Sequence, residues 1–166
     1  METVTDSSEN NIDDAEEQYL TFKLFDQDYG IEILEVQEIK GWSQVTPLPN
    51  SPKYIKGVLN LRGTIVPVID LRLRFNIEAA EYDSFTVIVV VNVGGRLAGL
   101  VVDSVSDVIN LKNDQRCDTP EFEGQINRQF IEGLGQVGEK LFILLNAEKL
   151  VDEEVLDAAS RNTDEN

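Results

Sequence analysis

The feature that most constrains this chain is an echo of itself. A shift of 69 residues lays Gly30 on Gly99, Ile33 on Val102, Val36 on Val105, Glu38 on Asp107 and Ile39 on Val108. A shift of 76 lays Ile55-x-Gly57 on Ile131-x-Gly133, Ile65 on Leu141, Val68 on Leu144, Ile69 on Leu145 and Asp70 on Asn146. The matched positions fall in short runs rich in Val, Ile and Leu, the composition of strands. Five or so such strands per half describe two small β-barrels of one design. Each half is too small to bury much alone, so the barrels are expected to pack on each other and leave a groove between them.

Local patterns support a mainly all-β fold. Leu20, Phe22 and Leu24 alternate with Thr21 and Lys23 before the turn Asp26-Gln27-Asp28 and YGIEI, a hairpin. LEVQEIK fits a helical turn or a strand equally, and TPLPNSP, with three of the five prolines, reads as an irregular loop. IKGVLNL and TIVPVIDL flank Arg62-Gly63, a tight hairpin, and Pro67 places the second arm at an edge or a bulge. FTVIVVVN, RLAGLVVD and SVSDVINL are further strands, and QFIEGLGQV with KLFILLN is another hairpin. Asn146 is placed to cap a helix in which Ala147, Val151, Val155, Ala158 and Ala159 recur at helical spacing. The expected organisation is a disordered acidic tail over 1–18, a first barrel over 19–79, a second over 80–146, a C-terminal helix over 147–160 and a tail over 161–166, with FNIEAAEYD as the crossover.

The net charge of −17 is concentrated at the ends, seven acids and no base in residues 1–18 and six acids against one base in 152–166, leaving −5 for residues 19–151. With no cluster of Lys and Arg, capture of nucleic acid or anionic lipid is disfavoured, and proteins are the expected partners. No apolar run reaches the roughly 18–20 residues a membrane helix needs, so direct membrane insertion is not expected. Without a basic-then-apolar leader, and with Cys117 alone, a cytoplasmic protein is expected.

Catalytic chemistry is hard to place. The chain has no histidine, which removes the commonest general base and metal ligand. No glycine-rich phosphate loop is present, and the glycines fall at turns and strand steps. Cys117 sits in NDQRCDTPE without an identifiable activating base and reads as a bystander. Asp103 and Asp107 read as solvated face residues, and Trp42 reads equally as a binding aromatic or a cap over a barrel end. No cofactor or metal is expected. Glu38 in EVQEIKGW and Arg62 in LNLRGT are charges set among apolar residues, either solvated or paired as a recognition patch.

YGIEILEVQEIKGW, then IKGVLNLRGTIVPVIDLRLRF, then GLVVDSVSDVI resemble, in that order and spacing, the CheW family of bacterial chemotaxis coupling proteins, from about Tyr19 to Leu150. The resemblance implies two SH3-like five-stranded barrels and no enzyme activity. It implies an adaptor between the cytoplasmic tips of methyl-accepting chemoreceptors and the regulatory domain of the histidine kinase CheA, with other CheW copies as further ring partners. Such a protein would be cytoplasmic and associated with membrane-bound receptor arrays. By resemblance, Glu38 and Arg62 belong to the receptor-facing surface, and Val36, Gly57 and Val108 to receptor or kinase coupling. The competing readings are a coupler for another sensory or motility pathway, an enzyme using paired carboxylates, and a nucleic-acid-binding barrel.

Overall fold

The computed structural model describes residues 16–77, 81–117, 128–152 and 155–157. Among them the alternating runs form β1 (Glu16–Leu24), β2 (Gln27–Glu32), β3 (Val36–Gly41), β4 (Ile55–Leu61), β5 (Thr64–Asp70), β6 (Val87–Val93), β7 (Arg96–Val102), β8 (Ser104–Lys112), β9 (Arg116–Cys117), β10 (Ile131–Val137) and β11 (Lys140–Leu145). Two one-turn helices, α1 (Leu71–Arg74) and α2 (Ala147–Leu150), follow β5 and β11. The strands lie in two sheets, β8-β1-β2-β11-β10-β9 (barrel A) and β3-β6-β7-β5-β4 (barrel B).

The echo maps β1 onto β6, β2 onto β7, β3 onto β8, β4 onto β10 and β5 onto β11, and in those terms the two sheets have the same strand order. The sheets nevertheless cut across the expected division into 19–79 and 80–146. Barrel A takes its first hairpin from the N-terminal half, and barrel B takes β6 and β7 from the C-terminal half. The parallel pairs that join the halves are equivalent, Gly99 opposite Val68 and Gly30 opposite Leu144. Side-chain periodicity fixes which face a strand presents and its register; it does not say which of two look-alike strands will be the neighbour.

Both barrels close the same way. After β8, the 3-10 turn Asn113–Gln115 carries the chain round to β9, where Cys117 pairs with Leu134 of β10. After β3, the proline loop carries it round until Thr46 bridges Val58, the counterpart of Leu134. The Ile-x-Gly steps register as irregularities in both ladders, between Ile55 and Gly57 and between Ile131 and Gly133.

This architecture explains the uninterrupted apolar runs. In β6, Ile88 and Val90 fill barrel B with Leu61, Val66, Val68 and Val101, while Val89 and Val91 face the other way into a larger cluster. In β1, Tyr19 enters barrel A with Leu111, Phe142 and Leu144, while Leu20, Phe22 and Leu24 join that same larger cluster. The shared core therefore draws on both sheets, and strands buried on two faces carry no polar side. A line of rings, Phe22, Tyr29, Phe75 and Phe130, with centroids 5.8, 6.0 and 5.8 Å apart, runs through it.

Several boundaries differ from the sequence expectation. β1 starts at Glu16, which pairs with Lys112, so residues 16–18 belong to barrel A and not to the tail; residues 1–15 and 161–166 lie outside the described residues. LEVQEIK resolves into both alternatives, a 3-10 turn at Ile33–Glu35 and then β3. Pro67 sits in an interior strand. It is tolerated because Val58, opposite it, turns its own N–H and C=O to Thr46, and pairing of β5 with β7 begins only at Val68.

The helix expected over 147–160 stops after one turn, Val151 leaving helical geometry at φ −113°, ψ 75°, and the chain is helical again at residues 155–157; Ala158 and Ala159 lie outside the described residues. The cap is as expected. Asn146 Oδ1 accepts from Lys149 N at 3.2 Å, just as its echo Asp70 caps α1 through Arg72 N at 2.9 Å. Asn146→Ala is expected to lower stability by about 1 kcal/mol, read as a shift in the urea midpoint with an unchanged slope.

Candidate functional site

Glu38 lies on β3 and Arg62 in the β4–β5 turn, at opposite edges of a five-stranded sheet. Their side chains nevertheless meet, Arg62 Nη1 donating to Glu38 Oε2 at 2.6 Å, because the sheet has curled until its edges touch. The arginine side chain is 75% exposed and the glutamate 23%, so the carboxylate is the seated partner and the guanidinium the presented one. The hydrogen bond and the Glu38 charge hold the guanidinium above its ordinary pKa.

The turn itself is informative. Arg62 has φ 52° and Gly63 φ 90°, with Asn60 Oδ1 accepting from Gly63 N. The β6–β7 turn repeats it with Gly94 at 60°, Gly95 at 87° and Asn92 Oδ1 accepting from Gly95 N. In the β10–β11 turn, the counterpart of Arg62 under the 76-residue shift is Gly138, at φ 62°. An L-residue with a Cβ is disfavoured in this left-handed region; two of the three sister turns place glycine there, and the β1–β2 turn has Phe25 at φ 57°. Arg62 occupies the position in spite of the backbone.

Of the other expected site residues, Val36 opens β3 half-buried against the shared core, and Val108 is 43% exposed on β8. Val36 shares β3 with Glu38, whereas Val108 lies apart from Glu38 and Arg62: β3 edges barrel B and β8 edges barrel A. Sequence reasoning passed over Ile39, the echo of Val108, which is 44% exposed beside Glu38. The two barrels thus offer matched apolar positions on equivalent edge strands. Gly57 is buried, with φ +150°, and a Cβ there would collide with the Thr46 carbonyl. Trp42 stacks on Tyr82 at 4.0 Å and packs on the barrel B core, which fits the cap reading. Cys117 is exposed on β9.

Asp103 departs from the expected solvated role, whereas Asp107 is exposed. Arg72, 1% exposed, holds fully buried Asp70 through Nε at 3.2 Å and Nη2 at 3.0 Å, and its Nη1 lies 3.1 Å from Asp103 Oδ1. Burial alone would lower the Arg72 pKa, but Asp70 and Asp103 hold it above the ordinary value. Tyr82 completes the group, donating to Asp70 Oδ2 at 2.9 Å. The signal missed in the sequence was a charge between two leucines, Leu71-Arg72-Leu73, directly after a buried strand.

Barrel A carries the most perturbed carboxyls. Burial, then a hydrogen bond with Glu17 and the charges of Glu132, Glu17 and Glu35, push Glu32 up to about 7. Burial also opposes ionisation of Glu17, yet its hydrogen bonds from Glu32 and Tyr19 and the nearby Arg116 bring it below the ordinary range. A raised and a lowered carboxyl side by side is the signature of a carboxylate enzyme, but ion-pair networks produce it too. These acids are tied into the Tyr19–Arg116 network, and the open cavity beside the β1–β2 turn, lined by Leu24, Phe25, Asp26, Gln27, Tyr29 and Ile77, contains none of them.

Comparison with known proteins agrees with the geometry. The family model for the CheW-like domain matches residues 18–155. A chemotaxis protein CheW from Klebsiella aerogenes is 48% identical over 138 residues, covering 83% of each chain, and protein FrzA from Myxococcus xanthus is 29% identical over 140 residues, covering 82% of this chain and 86% of its own. The crystal structure of the scaffolding protein TtCheW from Thermoanaerobacter tengcongensis superposes with a TM-score of 0.76 at 32% identity, covering 82% of this chain and 92% of its own. With that match over residues 18–155 and that 48% identity, and in keeping with two like-ordered barrels around a shared core, this chain belongs to the CheW-like family.

Proposed function

We propose that the chain is a noncatalytic adaptor of bacterial chemotaxis that couples the cytoplasmic tips of transmembrane chemoreceptors to the regulatory domain of the histidine kinase CheA. Family membership and the names of its relatives support the pathway. The observation that carries the site is Arg62, kept in a left-handed turn position where the sister hairpin has Gly138, and seated by Glu38. A strained, exposed, pre-aimed guanidinium adds little to a fold and much to recognition. Glu38 and Arg62 form the receptor-facing patch. Val36 acts from the same edge strand, Val108 from the equivalent edge of barrel A, and Gly57 through the fold. The adaptor works in the cytoplasm at receptor arrays, where further copies extend the assembly; among the described residues no helix is long and apolar enough to cross a membrane.

Pull-down of the purified full chain against a receptor cytoplasmic fragment and, separately, the kinase regulatory domain tests this. Arg62→Glu is expected to weaken receptor capture roughly tenfold or more and to leave kinase capture intact. Arg62→Gly should lose the receptor as well while melting no lower than wild type, because glycine suits the turn. Retained receptor binding in both folded variants refutes the assignment of Arg62, and failure of the wild type to bind either protein refutes the adaptor role.

A further inference from the structure

Among the described residues four hairpins turn on two residues, and the ladders fix which: Leu24 opposes Gln27, Leu61 opposes Thr64, Val93 opposes Arg96 and Val137 opposes Lys140. All four place the first turn residue at positive φ, Phe25 at 57°, Arg62 at 52°, Gly94 at 60° and Gly138 at 62°. They part at the second. Gly63 and Gly95 are left-handed as well, at 90° and 87°, whereas Asp26 and Glu139 do not take positive φ. Positive φ at both central residues is the type I′ pattern, whose twist suits the strands on either side.

The residue next to last in the leading strand divides the four hairpins the same way. Asn60 Oδ1 accepts from Gly63 N at 2.8 Å, and Asn92 Oδ1 from Gly95 N at 2.9 Å. In the other two hairpins that position holds Lys23, which has no side-chain acceptor, and Gln136, whose Nε2 donates to the Gly138 carbonyl at 3.3 Å. Glycine permits a second left-handed residue, and the asparagine oxygen, fixed to the strand, holds it there.

In the β6–β7 turn this clamp holds two glycines. In the β4–β5 turn it holds an L-residue in a region its Cβ disfavours, and the side chain of that residue has to meet Glu38 across the closed sheet, Nη1 to Oε2 at 2.6 Å. An ion pair whose arginine is 75% exposed contributes little, so Glu38 alone does not keep the turn in place. We propose that Asn60 is the positioning residue of the Arg62 patch: by fixing Gly63 it keeps the turn in the geometry from which the guanidinium both reaches Glu38 and faces outward. Its consequence for binding rests on the receptor-facing reading of Arg62; its consequence for the turn does not.

The test uses the full chain, nitrogen-15 relaxation of the Arg62 and Gly63 amides, hydrogen exchange at Gly63 N–H, and capture by the receptor fragment and the kinase regulatory domain. Asn60→Ala is expected to lower the order parameters at 62 and 63 from about 0.85 toward about 0.6 and to speed exchange at Gly63. Receptor capture should weaken about fivefold, the size of one lost hydrogen bond, with kinase capture unchanged. Asn60→Asp, whose carboxylate can accept the same N–H, should keep wild-type order and capture. Asn92→Ala removes the same bond from the sister turn and should loosen only residues 94 and 95, leaving both captures intact. Unchanged order and exchange at Gly63 in Asn60→Ala overturn the proposal whatever the receptor does. So does wild-type receptor capture by a loosened Asn60→Ala when Arg62→Glu has lost it, or a failure of Asn60→Asp to keep the turn ordered. If the wild type captures neither protein, the adaptor role fails, and relaxation and exchange alone confirm or overturn Asn60 as the residue that holds the turn.

Discussion

Replacing Gly57 with alanine is expected to destabilise the protein by about 3–5 kcal/mol, combining a backbone conformation L-residues avoid with a collision against main chain. At φ +150° the residue has no room for a Cβ, because the carbonyl of Thr46 lies over it where the proline loop is clipped to β4. The neighbouring atom is backbone and cannot rotate away; relief means unclipping Thr46 from Val58, which opens barrel B at its seam. Urea denaturation followed by far-ultraviolet circular dichroism measures the loss. Gly63→Ala supplies the contrast, since its Cβ meets nothing within 4 Å and only the φ of 90° is unfavourable; about 1 kcal/mol is expected there. At Gly133, the echo of Gly57, the Cβ would lie 3.1 Å from the Cys117 carbonyl, a tight but adjustable approach. Equal losses at Gly57 and Gly63 would contradict the account of the seam.

Arg72→Met is expected to cost about 3–5 kcal/mol, the penalty for leaving a buried acid without its counter-ion. Asp70 is fully buried and would keep only the Tyr82 hydroxyl and the Arg72 backbone N–H. The same stranded charge makes a second prediction. Asp70→Asn added to Arg72→Met should recover part of the loss, so that the double variant is more stable than the sum of the singles. Asp103, a quarter exposed, can turn to water, and Asp103→Asn should cost less than Arg72→Met. A double variant as unstable as the summed singles would mean that Arg72 matters for its packed hydrocarbon and not for its charge.

The repeat was legible because glycine and β-branched residues report local geometry, and local geometry is the same in both copies: Ile55-x-Gly57 and Ile131-x-Gly133 mark the same irregularity, and Asp70 and Asn146 the same cap. Exchange of the hairpins was not legible. Gly30 and Gly99 sit opposite Leu144 and Val68, and those partners are echoes of one another, so either pairing satisfies the pattern. Glu38 and Arg62 could be suspected from their apolar neighbours, but that they touch depends on closure of the sheet. Asp103 looked like a strand-face acid because its spacing from Asp107 matches a strand, whereas it stands in the joint where one strand leaves its sheet for the next. Arg72 went unread because nothing in LRLR separates it from Arg74, which reaches Asp152 at 3.2 Å from a mostly buried position.

The exchanged hairpins also impose an order on biosynthesis. Every strand of barrel B has been made once residue 102 has left the ribosome, and that barrel can close on its own five strands. β1 and β2, made before barrel B, find their last partner only when β11 is complete at residue 145. Until then the faces bearing Leu20, Phe22, Leu24 and Ile31 have at most one sheet to lie against. A hairpin made before barrel B is housed only after it, and a ribosome stalled between those two points displays an unpaired, greasy edge to any chaperone nearby.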